Sequence, residues 1–210
     1  LKNIIAGALA GFSLGALIGG LKEAYKAAEE SDKVFKQVEQ TVRATGKTAS
    51  LSAEDIKRMA GSLMDLTAID DEVIMGAQNI LLTFRNIGKD VFPQATQAVL
   101  DMATTVGTDF KSAAVQLGKA LNDPVKGITA LTRVGVSFTD EQKKMIKALV
   151  EAGDTMGAQK IILAELASEF SGAAEAAKTA SQEYSTAMGE LQEAVGNFEK
   201  SGVGEGFLRW

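Results

Sequence analysis

Ala77–Ala95, AQNILLTFRNIGKDVFPQA, Leu117–Gln142, LGKALNDPVKGITALTRVGVSFTDEQ, and Gly153–Leu166, GDTMGAQKIILAEL, decide the fold. They belong to one stretch, from about Gln78 to Gly172, in which short apolar runs at helical spacing end in glycine. Three of these stops read alike: Ile87-Gly88-Lys89-Asp90-Val91, Val106-Gly107-Thr108-Asp109-Phe110 and Val134-Gly135-Val136-Ser137-Phe138. Ala152-Gly153-Asp154 is a shorter version. Glycine leaves a helix through the left-handed region without a Cβ clash. An Asp, Ser or Thr within the next few residues can then accept from the free N–H groups of the following helix. The stretch therefore predicts sharp turns and short helices packed on one another.

The caps divide the chain further. Ser52 with Asp55 predicts a helix to about Leu66. Asp70 starts the next, with Asp71 and Glu72 in its first turn, and that helix is expected to run to Gly88. Pro93 suits a first helical turn and opens a helix to Val106. Asp109 or Thr108 caps the helix that ends near Leu121, and Asp123-Pro124 stops it and starts another. Thr139 with Gln142 forms a capping box, and Asp154 caps a last short helix before Ser171-Gly172. Lys119 is expected to be a surface charge or a partner of Asp123.

Working outward, longer helices flank this block. Ile4–Leu21 is an uncharged run in which Gly7, Gly11, Gly15 and Gly19 fall on one helix face, where another backbone could approach closely. An apolar seam with steps of three and four passes through it: Ala10, Leu14, Leu17, Leu21, Ala24, Ala28, Ser31, Phe35, Val38, Val42. One helix from about Asn3 to Ala44 is expected, on the order of 60 Å long. After Gly172 the seam Ala177, Ala180, Tyr184, Ala187, Leu191, Ala194, Phe198 predicts a second coiled-coil-like helix. The expected organisation is all-α: residues 1–44 a glycine-rich apolar helix continuing into a heptad helix, 45–172 a compact array of short helices, 173–200 a coiled-coil-like helix, and 201–210 a flexible tail. Leu21, Ala28, Phe35, Val42, Ala177, Tyr184, Leu191 and Phe198 are the expected seam positions, and the four glycines the expected helix-association face.

Composition restricts the chemistry. The 210 residues are 46% hydrophobic and 23% charged, with net charge -5 and only two prolines, enough apolar material for a core. There is no Cys and no His, so thiol nucleophiles, disulfides, Cys/His zinc sites and an imidazole base are excluded. Lys143, Lys144 and Lys147 form the only dense basic group and read as a solvated helix face, so no specific nucleic-acid binding is expected. Asp70, Asp71 and Glu72 are adjacent on a helix and point apart, so a capping role is expected for them and a metal site is not. LGKALNDP lacks the GxxxxGK[ST] pattern of a phosphate loop. No catalytic residue, metal or cofactor is expected, and an enzyme such as a wall hydrolase is disfavoured because no convergent acid pair can be named. The chain begins at Leu1 and is expected to be a piece of a longer one.

The block from about Ser52 to Gly172 resembles the conserved region of bacteriophage or prophage tail tape measure proteins. Ala77–Phe84, Leu117–Pro124, Gly135–Thr139 and Ala158-Gln159 with Ile161–Leu163 carry the resemblance by their order and spacing. The glycine-rich helix ahead of them is similar to apolar segments of these proteins. The resemblance implies a structural protein of the virion, in the tail lumen or at the tail tip, whose length sets tail length during assembly. It also implies help for DNA across the host envelope, with the host inner membrane as a further contact. Implied partners are tail tube and tail tip proteins, tail assembly chaperones and further copies of itself, in threes or a multiple of three. The alternative expectation is a membrane-active helical protein that forms an anchor or pore through the glycine row.

Overall fold

The computed structural model describes residues 14–46, 50–67 and 69–179, with side chains from Glu29 onward. Among the described residues the architecture is all-α, with no strand. The helices are α1 (Leu14–Ala44), α2 (Ala53–Leu66), α3 (Asp71–Leu81), α4 (Phe92–Val106), α5 (Phe110–Asn122), α6 (Pro124–Thr132), α7 (Asp140–Glu151) and α8 (Thr155–Phe170). Residues 173–179 are helical as well.

Local sequence accounts for most of the boundaries. Ser52 and Asp55 form a reciprocal capping box, with Asp55 N–H to Ser52 Oγ at 3.1 Å and Ser52 N–H to Asp55 Oδ2 at 3.0 Å. Thr139 and Gln142 repeat it at α7. Asp109, Asp123 and Asp154 each accept a backbone N–H from three residues on, at Ser112, Lys126 and Gly157. The hydroxyl and N–H of Ser52 hold the Asp55 carboxyl below its ordinary range, and Ser112 does the same for Asp109. The α4 helix stops at Gly107, whose φ of 71° is the left-handed conformation that spares it a Cβ clash.

Two local expectations need correction. The third helix ends at Leu81, seven residues before Gly88, and Gly88 is not left-handed. Leu82 and Ile87 are drawn into the core instead, and the hydroxyl of Thr83 bonds the Ile80 carbonyl at 2.7 Å. Asp70 precedes α3, but its side chain makes no cap hydrogen bond. Of the two readings for Lys119 the structure has the surface charge: Lys119 is exposed, and Asp123 pairs instead with Lys126 at 3.3 Å, one helical turn away.

Packing is centred on α3, which touches α1, α2, α4 and α5. Ile74, Met75, Ala77, Gln78 and Leu81 of α3 are buried. The α4 helix lies against α3, α5 and α8, and α7 and α8 close the block against α6. Phe92, Leu100, Leu117, Leu121, Leu131 and Ile146 are among the fully buried side chains; each such burial contributes about 1.5–3 kcal/mol. The α5 and α6 backbones approach closely. A Cβ on Gly127 would stand 2.2 Å from Ala120 Cα, so only glycine lets these two backbones meet. The end of α1 belongs to the same core, with Val38 and Val42 buried in it.

Candidate functional site

The polar groups inside the block tie segments together. Gln159 of α8, 1% exposed, donates from one amide nitrogen to the carbonyls of Asn86 (2.7 Å) and Leu121 (2.8 Å). Asn86 in turn donates twice to Asn122, from its side-chain amide to the backbone carbonyl at 2.7 Å and from its backbone N–H to the side-chain oxygen at 3.3 Å. The loop after α3, the end of α5 and the start of α8 are thus joined at one point. Sequence reading missed this knot, since Gln159 and Asn86 are 73 residues apart and neither has a local signature.

A second set of ties fastens the chain where it leaves the block. The buried carboxylate of Asp101, in α4, accepts the backbone N–H of Ala174 at 3.0 Å and the Gln97 amide at 3.1 Å. It thereby satisfies a free N–H in the first turn of the helix at 173–179, where negative charge is favoured. Four residues on, Lys178 donates to the carbonyl of Asp65 in the last turn of α2. That turn has no basic residue of its own, and its other carbonyls at Leu63 and Met64 are taken by Thr67. One exit helix is therefore capped by α4 and itself caps α2. Beside it, Ile69, Val73, Phe110, Ala174 and Ala177 line an open, mainly apolar hollow of about 400 Å³. Leu66 and Val106 are exposed at 54% and 43%.

The expected association positions fall unevenly. Phe35 packs half-buried against the chain's own core, with the Lys57 ammonium 4.9 Å from its ring centroid, and Val42 lies in that core. Gly15, Gly19, Leu21 and Ala28 lie within α1, and Ala177 is exposed on the exit helix. Gly7, Gly11, Tyr184, Leu191 and Phe198 lie outside the described residues, as do most of the uncharged run at Ile4–Leu21 and the tail at 201–210. Among the described residues no helix is long and apolar enough to cross a membrane.

Among the described residues no three of His, Cys, Asp and Glu stand close enough to hold a metal ion. A hydrogen bond with Asp71 raises the Glu72 carboxyl above its ordinary value, but the two are half-buried neighbours in the first turn of α3 and, among the described residues, no third acid joins them in such a group. Lys143 and Lys147 are neutralised by Asp140 (3.2 Å) and Glu151 (3.8 Å) on their own helix. A hollow of about 610 Å³ between α4 and α8 is open and mostly apolar. The buried amide of Gln78 has no hydrogen-bond partner among the described residues.

Polar side chains that cap helices and knot loops, around a helical core, define an all-α helical protein. Residues 1–136 match the family described as prophage tail length tape measure protein, and the chain belongs to that family. It is a phage tail protein of the tape measure class. The match ends at Val136, so α7, α8 and the exit helix lie beyond it. Comparison with curated proteins gives no match, and comparison with solved structures gives none.

Proposed function

We propose that this chain is the folded anchor of a tape measure protein, the part that holds one end of the ruler while the parent chain sets tail length and later helps DNA through the host envelope. The observation that carries this reading is the contrast between the family and the fold. A ruler needs residues spent on distance, and a helix supplies about 1.5 Å for each. Here α2 to α8 fold back on one another around a buried core, and so spend their residues on surface. Such a surface suits contacts with tail tip, tail tube or assembly chaperone proteins. Self-association in threes, or a multiple of three, is part of the reading, with the glycine face Gly7, Gly11, Gly15 and Gly19 as the contact between copies.

The test is an in-frame deletion of residues 53–172 in the prophage, followed by electron microscopy of the induced particles. The deletion removes about 120 residues, or roughly 180 Å if all were extended helix. The anchor reading expects tails to be lost or to vary in length. Intact, infectious tails shortened uniformly by that distance would make the block mere ruler length and sink the proposal.

A further inference from the structure

We infer that the hollow beside the exit helix is a docking site for another protein, and that its occupant is a basic amphipathic helix. A large apolar side chain of that helix sits in the hollow, with lysine or arginine about one helical turn to either side. Such a contact can form whether or not the block anchors the ruler, so it does not rest on that reading.

The floor of the hollow is apolar and is built by several elements. Ile69, Val73, Ala103, Phe110, Ala174 and Ala177 line about 400 Å³ where the start of α3, the end of α4, the start of α5 and the exit helix come together. Large apolar side chains also stand out of the core around it. Val73 is 36% exposed, and Val106, next to the lining residue Gly107, is 43% exposed. Leu66 follows Asp65, whose carbonyl Lys178 holds one residue past Ala177, and is 54% exposed. A single exposed valine or leucine is ordinary. Several around one concavity form a surface that gains free energy by being covered.

The charge at the rim gives the occupant its sign. Asp70 lines the hollow, Asp71 and Glu72 follow it, Asp109 stands between the lining residues Gly107 and Phe110, and Glu175 follows Ala174. Among the described residues none of these five is in an ion pair. Of the nearby bases, Lys178 is taken up by the Asp65 carbonyl, and the Lys111 side chain lies against Gly76, further along α3. The crowding is felt at Glu72: a hydrogen bond with Asp71, then burial and the charges of Asp71 and Asp70, hold its carboxyl above the ordinary value. The backbone adds to the negative field. The last turn of α4 carries no basic residue, and among the described residues no N–H is bonded to the carbonyls of Thr105 and Val106. A helix C-terminus favours a cation, and Lys178 already meets the end of α2 in this way. The same rim repels nucleic-acid phosphate and anionic lipid. An extended peptide would leave its own backbone groups unpaired, since no strand edge stands among the described residues. A helix pairs its own backbone and needs only side-chain contacts, apolar for the floor and cationic for the rim.

The probe is the helical peptide LKKLLKLLKKLLKL with both ends blocked, titrated calorimetrically into the 210-residue chain. Its analogue with glutamate for every lysine is the control. Val73→Ser with Val106→Ser removes apolar contacts, and Asp70→Asn with Glu72→Gln removes rim charge. Glu141→Gln with Glu151→Gln removes as many charges from α7, which supplies no residue to the hollow. The two valines are exposed and the Asp70 side chain makes no cap hydrogen bond, so the fold is expected to survive, and circular dichroism checks it. The lysine peptide alone is expected to bind, at least about tenfold more weakly to the valine pair and about fivefold more weakly to the Asp70 and Glu72 pair, with no change for the α7 pair. Failure of the lysine peptide to bind, equal binding of the glutamate peptide, full binding by the valine pair, or an equal loss from the α7 pair would each overturn the site. A parent chain whose mass in solution is multimeric, and falls to the monomer in the valine pair, would make the occupant a second copy and overturn the separate basic partner. None of these results touches the deletion experiment, which reads tail length, so the two readings can fail separately.

Discussion

Gly107 and Gly88 stand in nearly the same surroundings, Val-Gly-Thr-Asp-Phe and Ile-Gly-Lys-Asp-Val, yet they do different work. At Gly107 the helix stops on the glycine itself, which turns left-handed while Asp109 two residues on caps α5. At Gly88 the helix has already ended at Leu81, the glycine keeps an ordinary backbone, and α4 begins at a Val91 cap without a side-chain hydrogen bond. One stop is local and self-contained. The other is held from a distance, by Gln159 and Asn122 binding the loop and by Leu82 and Ile87 entering the core. Similar punctuation can thus be read by the backbone alone or overruled by packing, and the difference lies in who supplies the hydrogen bonds.

The largest test of this contrast is Gln159→Leu. It leaves the carbonyls of Asn86 and Leu121 without their donor, at about 1–3 kcal/mol each, so urea unfolding should show a loss of about 2–6 kcal/mol. A loss below about 0.5 kcal/mol, the range of ordinary surface changes, would mean that the loop after α3 holds itself. Next comes Gly127→Ala, where the new Cβ must push α6 away from the Ala120 backbone, for about 1–3 kcal/mol. Gly118→Ala meets only the Phe84 ring, whose half-buried side chain can turn, and should cost less in the same unfolding series.

The glycines of the comparison itself come third. Gly107→Ala should cost about 1–2 kcal/mol from its left-handed backbone, while Gly88→Ala should stay within about 0.5 kcal/mol. Equal losses at the two sites would erase the distinction. The smallest effect is in acid. Folding lowers the Asp109 carboxyl below its ordinary 3.8, so its contribution is present above that value and fades as pH falls through the lowered one. Asp109→Asn keeps a capping oxygen that does not titrate, so its melting temperature should fall less than that of the parent between pH 5 and 2.5. The Glu72 carboxyl, raised by Asp71, has the opposite sign: its contribution is full below its ordinary 4.5 and is lost as pH rises through the raised value. A parallel acid decline in the parent and the Asp109→Asn chain would show that this cap does not govern the local stop.

The heptad reading of the first flank carries a related lesson. Periodicity identified Phe35, Val38 and Val42 as one apolar face, and that face is in contact with the core. A stripe records that a surface is covered and is silent about what covers it. In its last turns α1 rests on α2 and α3 of the same chain. The Asp101 and Lys178 ties were also illegible. Each joins groups 73 or 113 residues apart, and a carboxylate or ammonium on a helix has no pattern that names a distant backbone partner.

By itself the sequence determined the helical class, the caps at Ser52, Asp109, Asp123, Thr139 and Asp154, and the turns at Gly107 and Gly153, because each depends on groups within a few residues of one another. Tertiary structure alone decided where α3 ends, that α5 and α6 touch through Gly127, and that the exit helix is pinned between α4 and α2. Those outcomes rest on hydrogen bonds and close contacts between residues far apart in the chain, and these exist only once the core has brought them together.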